Sequence, residues 1–497
     1  MKDKTVYLET MGCQMNVLDS ELVLGQLRTL GYTQIEDSAA ADLVLFNTCS
    51  VRDHAEQKVM SKLGMVRKSK ERNRDMIVGV IGCMAERDPD GIFAKMPHVD
   101  LVCGPGELNK IPAMLAEVEQ TRARAIALSQ SQSRKSTPLQ RSLEYDSVEA
   151  LDLSRDPAPD SNVLQSYIRV QRGCDKFCTF CVVPFTRGPE RSRPPSQIVD
   201  EAKMLVDRGA REVTLIGQTV NSYVSEQDGR AVRFAELLER VAGVPGIDRV
   251  RFVTSYPGDF TTDIFEVMRD VPEVCDYLHL PVQSGSDAVL TRMKRQYTVG
   301  QFIELIERGR EIVPSLTLAS DFIVGFCGET EADHEASMKL VERCGFKNIF
   351  VFKYSERPGT VAAKRDEDVV PNDVKRRRNH EMLDLQLDIS LAENQTWIGK
   401  TVEVLVEGYS KAAIKAQEAE QTRGEEVSGR RSDQLVGRTT GDRIVVFPGD
   451  ESHIGRLIDI HLTGATHLTL HGTMVETGAE RGTGVVANAA LPILGSA

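Results

Sequence analysis

No uninterrupted apolar run in these 497 residues is long enough to cross a bilayer. Residues Met1–Thr10 also lack an apolar h-region and a small-residue cleavage site. The two absences exclude a membrane-embedded chain and predict a cytoplasmic one. In that reducing compartment the ten cysteines are not a disulfide framework. They are metal ligands, catalytic groups or small buried hydrophobes. An excess of positive charge is missing as well. A net charge of −12 excludes a protein that coats nucleic acid through its overall field. A local basic groove is still compatible with it, because steering depends on where charge sits. The chain is otherwise globular in composition, 41% hydrophobic and 27% charged, and long enough for about three domains.

The first segment alternates strand and helix signals. Val6-Tyr7-Leu8, Asp42–Phe46, Met76–Ile81 and Leu101-Val102-Cys103 read as strands, with helices over Asp19–Leu30, from Asp53 and from Glu107. Short apolar strands separated by helices predict an α/β, doubly wound parallel sheet over residues 1–125. Cys13, Cys49 and Cys83 each sit at or just past a strand's C-terminal end. In a parallel sheet those ends share one edge, where ligands bind, so three distant thiols are expected to converge. Three separate buried cysteines are the plainer alternative, and Cys103 also ends a strand.

Residues 126–165 read as a linker. The next domain, residues 166–396, offers six strands: Tyr167–Gln171, Val213–Gly217, Val250–Thr254, Tyr277–Pro281, Leu316–Val324 and Ile349–Tyr354. The helical stretches Ile198–Arg208, Phe234–Val241, Phe260–Met268 and Val299–Ile312 separate them. Repeated β–α units predict a partial barrel of six parallel strands, with function at their C-terminal ends. A long helix from Lys375 to about Asn394 leads to residues 397–475, whose five short strands predict a small OB-like β-barrel. A polar insertion at Lys411–Ser432 interrupts that barrel, and residues 476–497 form a tail.

The strongest local signal is Arg172-Gly173-Cys174-Asp175-Lys176-Phe177-Cys178-Thr179-Phe180-Cys181. Three thiolates this close together can hold a cuboidal four-iron cluster and leave one iron open. Structural zinc wants four closed ligands, and no fourth Cys or His lies within Tyr167–Thr214; a distant fourth ligand stays open. The trio Cys13, Cys49 and Cys83 repeats the same arithmetic, so two clusters are expected.

The chain resembles the radical-SAM methylthiotransferases. The resemblance is carried by Met11–Asn16 with Asp19-Ser20-Glu21, by Asn47-Thr48-Cys49, Gly82-Cys83 and the CxxxCxxC loop, and by Arg187–Arg193, Gly217–Tyr223 and Pro281–Ser286. Gly12-Cys13-Gln14-Met15-Asn16 is similar to the MiaB branch, which acts on tRNA; other branches carry Cys-Pro-Lys-Asn or Cys-Lys-Val-Asn there. The resemblance implies a radical-SAM barrel, a C-terminal TRAM domain, two 4Fe-4S clusters and S-adenosyl-L-methionine. It implies that the open iron on Cys174, Cys178 and Cys181 chelates S-adenosylmethionine, whose reductive cleavage gives a radical. That radical takes hydrogen from C2 of an N6-isopentenylated adenosine beside the anticodon. The cluster on Cys13, Cys49 and Cys83 presents a methylated sulfur for insertion. It also implies an isopentenylated tRNA anticodon loop as partner, an electron donor and a sulfur donor; no membrane partner is expected, and the chain is expected to act as a monomer.

Phe180 matches the family position whose backbone meets the adenine, though a core aromatic fits equally. Gln218, Asn221, Ser284 and Asp321 are expected at or just beyond strand ends, lining the cleft to bind the cofactor, unless each merely caps a helix. Cys327 replaces the family's Pro in Gly325–Thr330, and Cys275, Cys327 and Cys344 are read as non-ligands. Arg187, Arg191, Arg193 and the run Lys375–Arg378 are candidate RNA contacts beside the β-barrel. Two rival readings remain: the same chemistry on a ribosomal-protein aspartate or another tRNA adenosine, and a non-catalytic RNA-binding protein that keeps a structural metal.

Overall fold

The computed structural model describes residues 4–50, 53–129, 151–152, 155, 163–365, 369–422 and 434–475. The N-terminal unit contains β1 (Lys4–Met11), α1 (Gln14–Thr29), β2 (Tyr32–Gln34), β3 (Leu43–Thr48), α2 (Asp53–Arg72), β4 (Ile77–Gly82), α3 (Cys83–Arg87), α4 (Pro89–Lys95), β5 (Leu101–Cys103), α5 (Ile111–Thr121) and β6 (Ala125–Ala127). Its sheet has the order β2-β1-β3-β4-β5-β6, parallel throughout. Every residue of β3 and β4 is buried, as expected of parallel strands covered on both faces. Leu43 and Leu45 face Leu18, Leu22 and Leu115 of α1 and α5, whereas Val44 and Phe46 face Val59, Leu63 and Phe93 of α2 and α4. This is the doubly wound arrangement expected from the alternation.

Two details differ from the sequence reading. The first helix starts at Gln14, five residues before the expected Asp19. The Cys13 carbonyl accepts from the Asn16 and Val17 amides at 2.9 and 3.2 Å, and no side chain caps the end, so the usual cap signal is missing. The segment expected to be linker contributes β6, which pairs with β5, and its Leu151, Asp152 and Arg155 are buried. The rest of the expected linker lies mostly outside the described residues.

The central unit follows as β7 (Gln165–Arg169), β8 (Gln171–Arg172), α6 (Val183–Thr186), β9 (Arg191–Ser192), α7 (Pro195–Asp207), β10 (Glu212–Ile216), β11 (Val224–Gln227), β12 (Arg230–Arg233), α8 (Phe234–Ala242), β13 (Arg249–Phe252), α9 (Thr262–Asp270), β14 (Tyr277–His279), α10 (Asp287–Arg292), α11 (Val299–Ile312), β15 (Thr317–Val324), α12 (Glu331–Cys344), β16 (Asn348–Lys353) and α13 (Asn372–Gln395). Six parallel strands make two sheets, β13-β10-β7 and β14-β15-β16. A parallel bridge between Val250 and Val274 joins them, giving the expected partial barrel. Ile168, Val213, Leu215, Val250, Phe252 and Phe322 face outward into one core with the helices. Helix α11 has the expected bounds because Thr298 and Gln301 form a capping box. The hairpin β11–β12 is an addition; its Asp228-Gly229 turn has both φ positive, at 55° and 73°, the type that favours Asp-Gly.

The last unit comprises β17 (Thr401–Tyr409), α14 (Lys411–Thr422), β18 (Gln434–Arg438), β19 (Ile444–Pro448), β20 (Leu457–Ala465) and β21 (Thr469–Met474). The strands close a barrel in the order β17-β18-β19-β21-β20 around Val404, Leu435, Phe447 and Ile460. The polar insertion expected from Lys411 begins as a helix, with Ala413 buried and its amide donating to Ser410 Oγ at 3.1 Å. Residues 423–433 and the tail lie outside the described residues. No described helix is long and apolar enough to cross a membrane.

The turn after β18 caps the N-terminal end of the central barrel. Arg251 donates to the Thr439 and Thr440 carbonyls at 2.7 and 2.8 Å and to Glu212 at 2.9 Å. Asp442 bridges Lys347 at 2.7 Å and Arg438 at 2.8 Å. Burial alone would raise the Asp442 carboxyl, but Lys347, Arg438 and Arg251 hold it well below its ordinary value near 3.8. A carboxyl depressed on folding stabilises fully above its unfolded value, and that contribution is lost as pH falls below it. Asp442→Asn leaves the Lys347 ammonium without its carboxylate, while Arg438 keeps Glu407 at 3.0 Å, and is expected to cost about 3 kcal/mol. The urea midpoint should fall at neutral pH, and the gap to wild type should narrow only below about pH 4.

Candidate active site

Strands β1, β3 and β4 end at Met11, Thr48 and Gly82, and Cys13, Cys49 and Cys83 follow on the same sheet edge. Glycine is needed beside them. A Cβ at Gly12 would lie 2.7 Å from the Cys49 Cβ, and one at Gly82, where φ is 92°, would strike Asn47 Oδ1. The Cys49 amide donates to the Met11 carbonyl at 2.9 Å. Asn16 Nδ2 donates to Asn47 Oδ1 at 2.8 Å, and Asn47 Nδ2 donates to the Asn16 carbonyl and to Ser20 Oγ. This buried clamp ties the loops after β1 and β3 together.

A hydrogen bond with Cys49, the Arg187 charge and the first amides of α1 hold the Cys13 thiol below its ordinary value despite burial. Burial pushes the Cys83 thiol up, the Arg187 charge opposes this, and the charges of Cys13 and Asp19 add to it. Cys103 does not join the set. It packs in the core with Leu101 and Leu108, and burial raises its thiol well above the ordinary value.

The second trio follows β8 at the C-terminal end of the central barrel. A Cβ at Gly173, where φ is 73°, would strike the Pro189 carbonyl. The Cys174 amide donates to the Gly188 carbonyl at 3.2 Å, and the Cys181 amide to the Cys178 carbonyl at 3.0 Å. Thr179 pins the loop to the end of α10 through its amide to the Met293 carbonyl and its hydroxyl to the Arg292 carbonyl. Arg295 Nη1 donates to Cys178 Sγ at 3.5 Å. Burial and the charge of Cys178 raise the other two thiols, Cys174 to about 11 and Cys181 to about 12. A bound metal must displace those protons, which makes loading pH-dependent.

The remaining expected residues divide. Phe180 packs edge-on against Phe326 with ring centroids 6.3 Å apart. Gln218 lies just beyond β10, and its Oε1 is buried without a hydrogen-bond partner among the described residues. Asn221 has both ends of its amide on the Tyr256 backbone, at 2.9 and 2.7 Å, so it holds the loop after β13. Ser284 follows β14, is buried, and accepts from the Ser286 amide. Asp321 was expected at a strand end but lies inside β15. It meets His279 Nε2 at 3.1 Å, while His279 Nδ1 accepts from the Thr254 amide. Cys327 is buried beside Phe326 and Tyr354.

The expected RNA contacts need correction. Arg187 and Arg193 are buried. Arg187 Nη2 donates to Asp19 Oδ2 at 2.8 Å, and Arg193 Nη1 to Glu201 Oε2 at 2.7 Å. Lys375 donates to the Tyr354 carbonyl, Arg378 pairs with Glu329, and Arg377 pairs with Glu331 and Glu381. Arg187, Arg193, Arg377 and Arg378 are paired with carboxylates and Lys375 with a backbone carbonyl; Arg191 is half-buried, and Arg376 and Arg377 are exposed.

Sequence reasoning missed the network between the two trios. Asp19 accepts from both Arg187 and Arg169, and Arg169 also pairs with Asp152 at 2.7 Å. The partners of Asp19 lie 150 and 168 positions away, beyond any local pattern. Helix α3, which begins at Cys83, packs on α6, which precedes Arg187. The network therefore turns the sheet edge bearing one trio toward the barrel end bearing the other. Among the described residues no three His, Cys, Asp or Glu side chains are set to hold a single metal ion. Each site offers three thiols with a guanidinium beside them, the donor chemistry of a cluster that keeps one iron open.

Residues 5–104 match the uncharacterized protein family UPF0004, residues 168–341 the radical SAM superfamily and residues 425–475 the TRAM domain. The tRNA-2-methylthio-N(6)-dimethylallyladenosine synthase of Rhodopirellula baltica is 48% identical over 470 residues, covering 94% of this chain and 95% of that protein. The synthase of Bacteroides thetaiotaomicron is 41% identical over 478 residues, covering 95% and 96%. Among solved structures, the radical S-adenosylmethionine methyltransferase TsrM of Kitasatospora setae, with cobalamin and a 4Fe-4S cluster bound, has a TM-score of 0.50 at 15% identity over 73% of this chain and 77% of that one.

Proposed function

The chain belongs to the radical-SAM methylthiotransferases, in the branch of the tRNA-2-methylthio-N(6)-dimethylallyladenosine synthases, and on that premise we propose that it methylthiolates C2 of N6-isopentenyladenosine beside the anticodon of tRNA. S-adenosylmethionine and two 4Fe-4S clusters, when bound, supply the radical, the methyl group and the sulfur that no side chain can supply to an aromatic C–H. Cys174, Cys178 and Cys181 would hold one cluster, and Cys13, Cys49 and Cys83 the other.

The observation that carries the reading is the Asp19–Arg187 bond. Asp19 lies six residues after Cys13, and Arg187 lies six after Cys181, so the bond ties the segment that follows one trio to the segment that follows the other. The protein's own side chains position and exclude. Asn16 and Asn47 hold the sulfur-side loops, Asn221 holds the loop at Tyr256, and Gln218 Oε1 offers an acceptor at the barrel's C-terminal end. Phe180 and Phe326 form an apolar wall that keeps water from that end. The TRAM barrel is the RNA-binding element, as small OB-like barrels commonly are, and the enzyme acts as a cytoplasmic monomer.

The test is nucleoside analysis of tRNA from a strain lacking the gene. The 2-methylthio derivative should disappear and its isopentenylated precursor accumulate. Unchanged levels, with a methylthiolated ribosomal-protein aspartate lost instead, would sink the tRNA assignment.

A further inference from the structure

Each thiol trio has one buried guanidinium beside it, and we propose that Arg187 and Arg295 set the reduction potentials of the two iron–sulfur clusters separately. The proposal rests on reading the two trios as cluster sites.

Arg295 is the more exposed in charge terms. Its Nη1 reaches Cys178 Sγ at 3.5 Å, its Nε donates to Tyr297 Oη at 2.8 Å and its Nη2 to the Pro281 carbonyl at 2.8 Å. The guanidinium lies over the rings of Tyr256 and Tyr297, 4.7 and 5.1 Å from their centroids. No carboxylate pairs with Arg295 among the described residues, so no ion pair offsets its charge at Cys178.

Arg187 is built differently. Asp19 takes its Nη2 at 2.8 Å, while its buried Nη1 has no hydrogen-bond partner among the described residues. Arg187 follows α6, which packs on α3, the helix that opens at Cys83, and its charge is partly offset by Asp19, which Arg169 shares. Both arginines belong to the central unit, so the sulfur-side site borrows its cation from across the domain boundary.

Cluster potentials follow net charge and hydrogen bonds to sulfur, and a charge in a low-dielectric interior is weakly screened. Reduction adds negative charge, so a neighbouring cation favours it. Both arginines are positioning residues that act through the cluster.

The test is an EPR-monitored redox titration of full-length chains that keep one trio, the other being replaced by alanine. Arg295→Gln should lower the potential of the cluster on Cys174, Cys178 and Cys181 by at least about 59 mV, a tenfold change in reduced fraction for a one-electron couple. Arg295→Lys should restore most of it. Arg187→Gln should lower the potential of the cluster on Cys13, Cys49 and Cys83 by less. Asp19→Asn should raise that potential, a reversal that loosened packing would not produce. Unchanged potentials at full iron content, or Asp19→Asn and Arg187→Gln moving the same way, would overturn the proposal. A wild-type chain that takes up no iron and sulfide would instead overturn the cluster reading.

Discussion

Replacing Cys178 by alanine is expected to abolish cleavage of S-adenosylmethionine. The loop around Cys178 is fixed by backbone bonds at Cys174, Thr179 and Cys181, so the missing thiolate cannot be replaced by a shift of its neighbours. No spare cysteine can stand in. Cys275 and Cys344 are buried, and Cys327 packs against Phe326 and Tyr354 with its thiol toward the Ala362 carbonyl at 3.7 Å. Two ligands leave a four-iron cluster unsupported, so 5′-deoxyadenosine should fall below detection. Iron after anaerobic reconstitution should drop from about eight to about four per chain. Continued 5′-deoxyadenosine formation would remove the loop from the mechanism.

Replacing Cys49 by alanine should separate the two halves of the chemistry. The substitution removes one ligand from the sulfur-side trio and leaves the loop backbone held by the Cys49 amide bond to Met11 and the Asn16–Asn47 clamp. Iron should again fall to about four per chain. S-adenosylmethionine cleavage should persist, because the second trio and Arg295 lie in the other unit, while the 2-methylthio product is lost. The opposite outcomes of the two variants, measured on one RNA substrate, are the signature of two sites with divided labour.

Much of this architecture is legible in the sequence, for definable reasons. Buried parallel strands are often written as apolar runs, as β3 and β4 are, while the six barrel strands stand out as short β-branched and aromatic segments separated by helices. Cys49 and Cys83 stand out because each follows an apolar run, and Cys174, Cys178 and Cys181 because of their close spacing. What escaped is either short or non-local. Helix α1 starts at Gln14 because a carbonyl, not a capping side chain, terminates it. The strand β6 has only three residues. The Asp228-Gly229 turn was a readable hairpin signal that the helix-and-strand alternation hid. Arg187 reads as basic surface because nothing local reveals that Asp19 receives it, and Arg193 because its partner Glu201 lies in the next helix, α7. Asp321 lies three residues before the end of β15, inside the Leu316–Val324 strand that the sequence itself offers, so its reading as a strand-end residue is already at odds with those bounds. The cysteines carry their chemistry in their spacing, but the arginines acquire theirs only on folding.

The most direct test is a single anaerobic reaction of the reconstituted chain with an isopentenylated anticodon stem–loop, S-adenosylmethionine and a reductant, followed by mass spectrometry of the nucleosides. The expected result is the 2-methylthio derivative of the isopentenylated adenosine, formed together with 5′-deoxyadenosine. Formation of 5′-deoxyadenosine with the RNA unchanged, from a chain carrying both clusters and supplied with sulfide, would contradict the assignment of this chain to tRNA methylthiolation.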